Sequence, residues 1–182
     1  TITISNFVNN GNVTGNWYAG GFVGSILYGT SMAITISKST NSGNVNGSSY
    51  VGGFVGIVYS YDQSSSISLF ITNSANKGSV SAKSEIACGV SYIYSERNFN
   101  VNTTILNSIN KGSVSAGKKA HGITNNITKA RNVVSMGDVT TSTDSYTFWE
   151  SSSDVDLFFG LKSKCWNCAK NAKLFEQNTN TW

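Results

Sequence analysis

One unit recurs along most of this chain and limits what it can fold into: Asn-x-Gly-x-Val, a polar break, then Gly-Gly-Phe-Val-Gly. Asn9 to Gly24 reads N-N-G-N-V-T-G-N-W-Y-A-G-G-F-V-G, and Asn41 to Gly56 reads N-S-G-N-V-N-G-S-S-Y-V-G-G-F-V-G. The glycines that open the Gly-x-Val step are Gly11, Gly43, Gly78, Gly112 and Gly137, at intervals of 32, 35, 34 and 25 residues. Two residues later stand Val13, Val45, Val80, Val114 and Val139. Two residues earlier stand Asn9, Asn41, Asn76 and Asn110, then Ser135; seven earlier stand Ile4, Ile36, Ile71 and Ile105, then Ala130. The second run aligns through Gly21, Gly53, Gly89 and Gly122. Periods of this length mark a repeat architecture, in which each unit buries its apolar face only by stacking on its neighbours. The fifth copy is short, as terminal repeats are.

The local texture is that of strands. Thr1 to Ser5 alternates Thr-Ile-Thr-Ile-Ser, and Ile34 to Ser37 repeats it; alternation with β-branched residues is the pattern of a half-buried strand. Gly-x-Val steps between turn residues and the longer Gly-Gly-Phe-Val-Gly runs bring the expectation to roughly three strands per unit. A helical repeat of this period would need Ala-, Leu- and Glu-rich segments, and none precedes residue 150. The predicted fold is therefore all-β, a β-solenoid of about five coils, with valines and isoleucines in internal ladders and Asn9, Asn41, Asn76 and Asn110 in an asparagine ladder. Coils about 4.8 Å apart give a stack of about 24 Å. A five-bladed propeller is the rival, but its blades run to about 40 residues or more with four strands each.

From Phe148 the texture changes. Phe148-Trp149 and Leu157-Phe158-Phe159 are apolar clusters, Cys165-Trp166-Asn167-Cys168 follows, and Ala169 to Gln177 reads as a short helix. The division is accordingly residues 1–147 as solenoid and 148–182 as a C-terminal cap or the start of another module, since an open stack exposes unpaired strand edges. Thr1 falls in mid-pattern and Trp182 carries no stop signal, so the expectation is part of a longer protein.

Charge excludes some functions. Only 12% of the residues are charged, the net charge is +4, and up to Asn76 the only charges are Lys38 and Asp62. Nucleic-acid binding needs clustered Lys and Arg, and Lys118-Lys119 is the only adjacent pair, so no nucleic-acid partner is expected. No apolar run reaches the ~18–20 residues of a membrane span. The segments that differ most between units, Tyr28 to Ala33, Tyr59 to Ser66 and Tyr94 to Asn100, are the variable loops such a scaffold displays, with Tyr28, Tyr59, Tyr61, Tyr92 and Tyr94 near them.

The unit as quoted resembles the GLUG motif of large secreted or surface proteins, including IgA-protease-like and adhesin-like bacterial proteins and protist surface proteins. The match is good at Asn9–Gly24 and Asn41–Gly56, weakens at Asn76–Ser91, where Cys88-Gly89-Val90 replaces Gly-Gly-Phe, and fades through Asn110–Thr124. The resemblance implies a non-catalytic stalk or scaffold, at the cell surface or in the secreted fraction, and says little about a ligand. The partners expected are other domains of one long chain, a host or matrix protein or glycan, and, through open strand edges, further copies end to end. No cofactor is expected. The resemblance also implies an oxidising compartment, which favours a Cys165–Cys168 disulfide, with Cys88 expected to be free and buried.

The residues admit other chemistry. Zinc needs four ligands, and beyond Cys165 and Cys168 only Cys88 and His121 remain. His121 is the one histidine, with no nucleophile motif tied to it. Asp154 and Asp156 form a carboxylate pair of the kind glycoside hydrolysis uses, so a β-helical carbohydrate-active enzyme or lectin is the alternative, and an end-to-end filament subunit is another. No metal site and no catalytic residue is expected. Asn12, Asn46, Asn102 and Asn126 open N-x-Ser/Thr sequons, candidate N-glycosylation sites in a secreted eukaryotic protein.

Overall fold

The computed structural model describes residues 1–28, 31–60, 66–94, 100–142, 146–147, 154–155 and 158–160. Among these the chain is all strand and turn, and every pairing is parallel: a β-solenoid of about three complete turns. The first turn comprises β1 (Ile2–Ser5), β2 (Val8–Asn9), β3 (Val13–Thr14), β4 (Tyr18–Gly20) and β5 (Val23–Tyr28). The second repeats them as β6 (Met32–Ser37), β7 (Thr40–Asn41), β8 (Val45–Gly47), β9 (Tyr50–Gly52) and β10 (Val55–Ser60). The third consists of β11 (Ser66–Thr72), β12 (Ala75–Asn76), β13 (Val80–Ala82), β14 (Ile86–Cys88) and β15 (Ser91–Tyr94). Each of these turns thus carries five strand segments in four sheets, not the roughly three strands expected. The Gly-Gly corner splits the long apolar run in two, and a two-residue strand such as Val8–Asn9 is too short to show a period.

Beyond the third turn the stack continues on three of its four sheets. β16 (Asn100–Asn110) fuses the first two segments into one strand, followed by β17 (Val114–Ala116) and β18 (Lys119–His121). The next strands are β19 (Lys129–Ser135), β20 (Val139–Thr141) and β21 (Tyr146–Thr147). Only a single bridge, Ser91 to Thr124, continues the sheet of β5, β10 and β15. Where that strand is missing, the Asn125 side chain pairs with the backbone of β15. Its Nδ2 donates to the Ile93 carbonyl, and its Oδ1 accepts from the Ile93 N–H, both at 2.6 Å. Two further strands, β22 (Asp154–Val155) and β23 (Phe158–Gly160), lie in the segment expected to cap the stack and pair in parallel with β19.

A left-handed residue recurs in every repeat, between the first two segments in the first three turns and within β16 and β19 beyond them. Asn6, Lys38, Asn73, Asn107 and Asn132 have φ of 53°, 49°, 49°, 47° and 52°. Asparagine tolerates this region because its short amide bonds locally. Asn132 Nδ2 donates to Asn107 Oδ1 at 2.9 Å, and Asn107 Nδ2 to Asn73 Oδ1 at 3.3 Å, so the exposed amides also link turn to turn. Lys38 breaks both patterns. Lys38→Asn is expected to stabilise the protein by about 0.5–1 kcal/mol, mainly by relieving the cost of a left-handed lysine; a urea-denaturation midpoint no higher than that of the parent contradicts this.

The interior divides into two apolar clusters. The broad one lies between β1/β6/β11/β16 and β5/β10/β15, filled by Ile34, Ile36, Ile71, Ile105, Val58 and Ile93 and closed at the corner by Phe54, Val90 and Ile123. The narrow one, between the sheet of β3, β8, β13, β17 and β20 and the sheet of β4, β9, β14, β18 and β21, is built from Val and Ala. Small residues there bring the two sheets close; Ile and Phe hold the other side open.

Candidate functional site

The most ordered polar feature lies at the waist between the two clusters. Asn9 Nδ2 donates to Asn41 Oδ1 at 2.8 Å, Asn41 Nδ2 to Asn76 Oδ1 at 2.8 Å, and Asn76 Nδ2 to Asn110 Oδ1 at 2.7 Å. Each amide also donates at 2.9 Å to the carbonyl two residues on, at Gly11, Gly43, Gly78 and Gly112. Asn110 ends the run by donating to the Gly122 carbonyl at 2.9 Å, with Ser135 Oγ at 3.4 Å. Asn41, Asn76 and Asn110 are fully buried. A buried amide is stable only when its donors and acceptor are met, and here a repeating side chain meets them along the axis.

The glycines of the motif follow from this column. A Cβ on Gly21, Gly53 or Gly89 would strike the amide of Asn41, Asn76 or Asn110 and the backbone of the next turn. A Cβ on Gly43, Gly78, Gly112 or Gly137 would strike the carbonyl of the equivalent glycine one turn earlier. None of these glycines has positive φ. They are required because backbones approach closely, not because the chain turns.

The valines stand beside the ladder. Val13 pairs in register with Val45, Val45 with Val80, Val80 with Val114 and Val114 with Val139. Val45, Val80, Val114 and Val139 are buried, while Val13, in the end turn, is half-buried. A serine column runs parallel, which sequence reading did not detect. Ser39 Oγ accepts from the Phe7 N–H at 3.2 Å, Ser74 Oγ from the Ser39 N–H at 3.2 Å, and Ser108 Oγ from the Ser74 N–H at 3.3 Å. Its signal, Ser39, Ser74 and Ser108 two residues before each ladder asparagine, is hidden because serine is common throughout the chain and Phe7 holds the place in the first copy.

Of the candidate reactive residues, the described strands bring two side by side. Cys88 and His121 are register neighbours on β14 and β18, in the inward column that begins with Gly20 and Gly52, and both are buried. Burial pushes the Cys88 thiol well above its ordinary pKa, against a smaller lowering by a hydrogen bond with Asn125. Such a thiol is inert. In a Cys165→Ser/Cys168→Ser background, an aromatic disulfide reagent is expected to titrate no thiol at neutral pH until denaturant is added. Rapid labelling of the native protein contradicts the burial.

Asp154 lies on β22, while Asp156, Cys165 and Cys168 fall outside the described residues, so the carboxylate pair and the expected disulfide have no geometry here. Among the sequons, Asn12, Asn46 and Asn102 are exposed and Asn126 is half-buried.

The outer face of the β3 sheet carries short polar side chains. The middle residues of the β3 sheet, Thr14, Asn46, Ser81, Ser115 and Thr140, line up in register, with Ser115 Oγ donating to Ser81 Oγ at 3.1 Å. Aromatic rings stack along the axis, Tyr18 on Tyr50 at 5.9 Å and Tyr50 on Tyr92 at 5.1 Å, and Phe22 on Phe54 at 4.9 Å. Lys118 donates to both Glu85 oxygens at 2.7 and 2.8 Å across a turn, an exposed pair of the kind worth at most about 1 kcal/mol. Among the described residues no helix is long and apolar enough to cross a membrane.

A scan against protein-family models, a search of curated proteins and a search of solved structures each returned no match to this chain.

Proposed function

We propose that the chain is a non-catalytic structural or adhesive module of a secreted or cell-surface protein. Its stack extends to five coils, and the segment from 148 onward closes it. The observation that carries this reading is how the buried polar groups are used. Asn41, Asn76 and Asn110 are bonded to one another and to backbone carbonyls along the axis, which stiffens a stack without offering a group to a substrate. The single histidine and Cys88 are sealed inside. The β3 sheet turns a column of Ser, Thr and Asn outward, and tyrosines on β4, β9 and β15 stack from turn to turn, an arrangement suited to holding variable loops at a regular spacing and to contact with other domains, matrix protein or glycan. The resemblance to GLUG repeats supports the extracellular placement, and exposed Asn12, Asn46 and Asn102 are accessible to glycosylation.

Antibodies raised against residues 1–182 test this on cells that make the protein. Staining of intact cells, or recovery from the medium, is expected; staining only after permeabilisation overturns the placement. Turnover of a polysaccharide or peptide panel that His121→Ala or Asp154→Asn abolishes would overturn the non-catalytic role.

A further inference from the structure

We infer that the first turn is an internal surface of the stack: a further coil of the same Asn-x-Gly-x-Val type, contributed by the polypeptide upstream of Thr1, lies on it in parallel register. This rests on the stacked fold alone, and a failure of the surface placement proposed above leaves it standing.

Two glycines point to the missing neighbour. In later turns the Gly-x-Val glycine is required by the turn before it. The Gly11 carbonyl occupies the place of a Cβ on Gly43, and the same relation holds from Gly43 to Gly78, Gly78 to Gly112 and Gly112 to Gly137. Gly11 has no such neighbour. The nearest atom to its Cβ position is its own turn's Asn9 Oδ1 at 3.6 Å, an ordinary contact, and its φ is not left-handed. Among the described residues nothing requires glycine there, and glycine costs more backbone entropy than any other residue. Gly24 behaves in the same way at another side of the turn. Its counterpart Gly56 is blocked by the Gly24 carbonyl and by the Ala19 carbonyl, at 2.7 Å, whereas among the described residues a Cβ on Gly24 meets only the Tyr18 carbonyl of its own turn, at 3.4 Å. Both glycines suit a turn that has a predecessor.

The surface of the first turn agrees. Ile2, Phe7, Val8, Trp17, Tyr18 and Leu27 are all exposed, with Trp17 at 66%, Val8 at 56% and Phe7 at 49%. Among the described residues, the other exposed large apolar side chains are Phe70 and Met136. A turn that ended the stack would carry a polar outer face. The ladder is unfinished at the same place. Asn41 and Asn76 Oδ1 each accept an amide from the preceding turn, whereas Asn9 Oδ1 accepts the nearby Gly11 N–H at 3.1 Å.

The covalent path favours the chain's own upstream segment over a second copy. One turn ends at Tyr28 and the next begins at Met32, so a coil that delivers a glycine carbonyl to Gly11 in parallel register ends where Ile2 begins. At the far end of a second copy, among the described residues, β19 is already paired with Asp154–Val155 and Phe158–Gly160 while β20 and β21 remain edge strands, so a copy offers β1 no free first-segment strand and could supply only part of a coil.

The test compares residues 1–182 with the longer product of the same gene carrying one more repeat length upstream. In the shorter chain, Gly11→Ala and Gly24→Ala are each expected to move the melting temperature by less than about 2 °C. In the longer chain each lowers it by more than about 8 °C, a shift that a domain of this size shows only for a severe lesion, or prevents folding where the parent folds. Equal effects in both chains overturn the inference. So does an upstream sequence with no Asn-x-Gly-x-Val unit one repeat before Asn9. Concentration-dependent association of residues 1–182 by sedimentation velocity, abolished by Gly11→Ala, assigns the surface to a second copy and overturns it as well.

Discussion

Val80→Asp is expected to abolish the cooperative fold. Val80 is fully buried at the centre of the valine column, in register with Val45 on one side and Val114 on the other. A carboxylate there faces Val and Ala and finds no cation, so it loses the transfer energy of the valine and adds the cost of an unpaired buried charge. Together these exceed about 4 kcal/mol, a large part of the ~5–15 kcal/mol by which domains are stable. Asn46→Asp, one residue along the neighbouring strand but pointing to solvent, makes the same charge change and should shift stability by about 0.5 kcal/mol or less. Circular dichroism melts of the pair decide it. A melting temperature for Val80→Asp within a degree or two of the parent contradicts an internal ladder.

Asn76→Asp is expected to cost about 3–5 kcal/mol at neutral pH while changing almost no volume. The carboxylate still accepts from Asn41 Nδ2, but it replaces the amide that donated to Asn110 Oδ1 and to the Gly78 carbonyl. Two acceptors then face a buried anion. Burial and those acceptors raise the folded-state pKa of the introduced carboxyl above its unfolded value of about 3.9. The sign follows from linkage: the deprotonated form is disfavoured in the folded state, so the penalty is fully present above the folded pKa. It shrinks as pH falls through that pKa and the protonated acid regains a hydrogen bond to donate. The stability gap between variant and parent, from urea denaturation at pH 7 and at pH 4, should therefore narrow. A gap of the same size at both pH values would show that the site is wet or that the amides are not coupled.

What the sequence made legible is what recurs at a fixed offset with little latitude in residue type. The column through Val13, Val45, Val80, Val114 and Val139 allows only a compact β-branched residue against alanines, and the column through Asn9, Asn41, Asn76 and Asn110 allows only a side chain that both donates and accepts. Those constraints write themselves as identity. The left-handed column was not legible because its conformation tolerates Lys38 among asparagines. The serine column was not, because Phe7 stands in its first place. The division of each turn into five segments was hidden for a different reason: two-residue strands held by neighbours in adjacent turns need no periodicity of their own. The role of Asn125 could not be read either, since a side chain that substitutes for a missing strand is defined by the strand's absence.

The fold stands on the register of one turn upon the next, and methyl–methyl nuclear Overhauser effects in valine-labelled protein read it most directly. Parallel strands in register lie about 4.8 Å apart. Cross-peaks are expected from Val13 to Val45, Val45 to Val80, Val80 to Val114 and Val114 to Val139, with none between residues two turns apart such as Val13 and Val80. Absence of these four contacts, or contacts that pair the valines in another order, would contradict the stack.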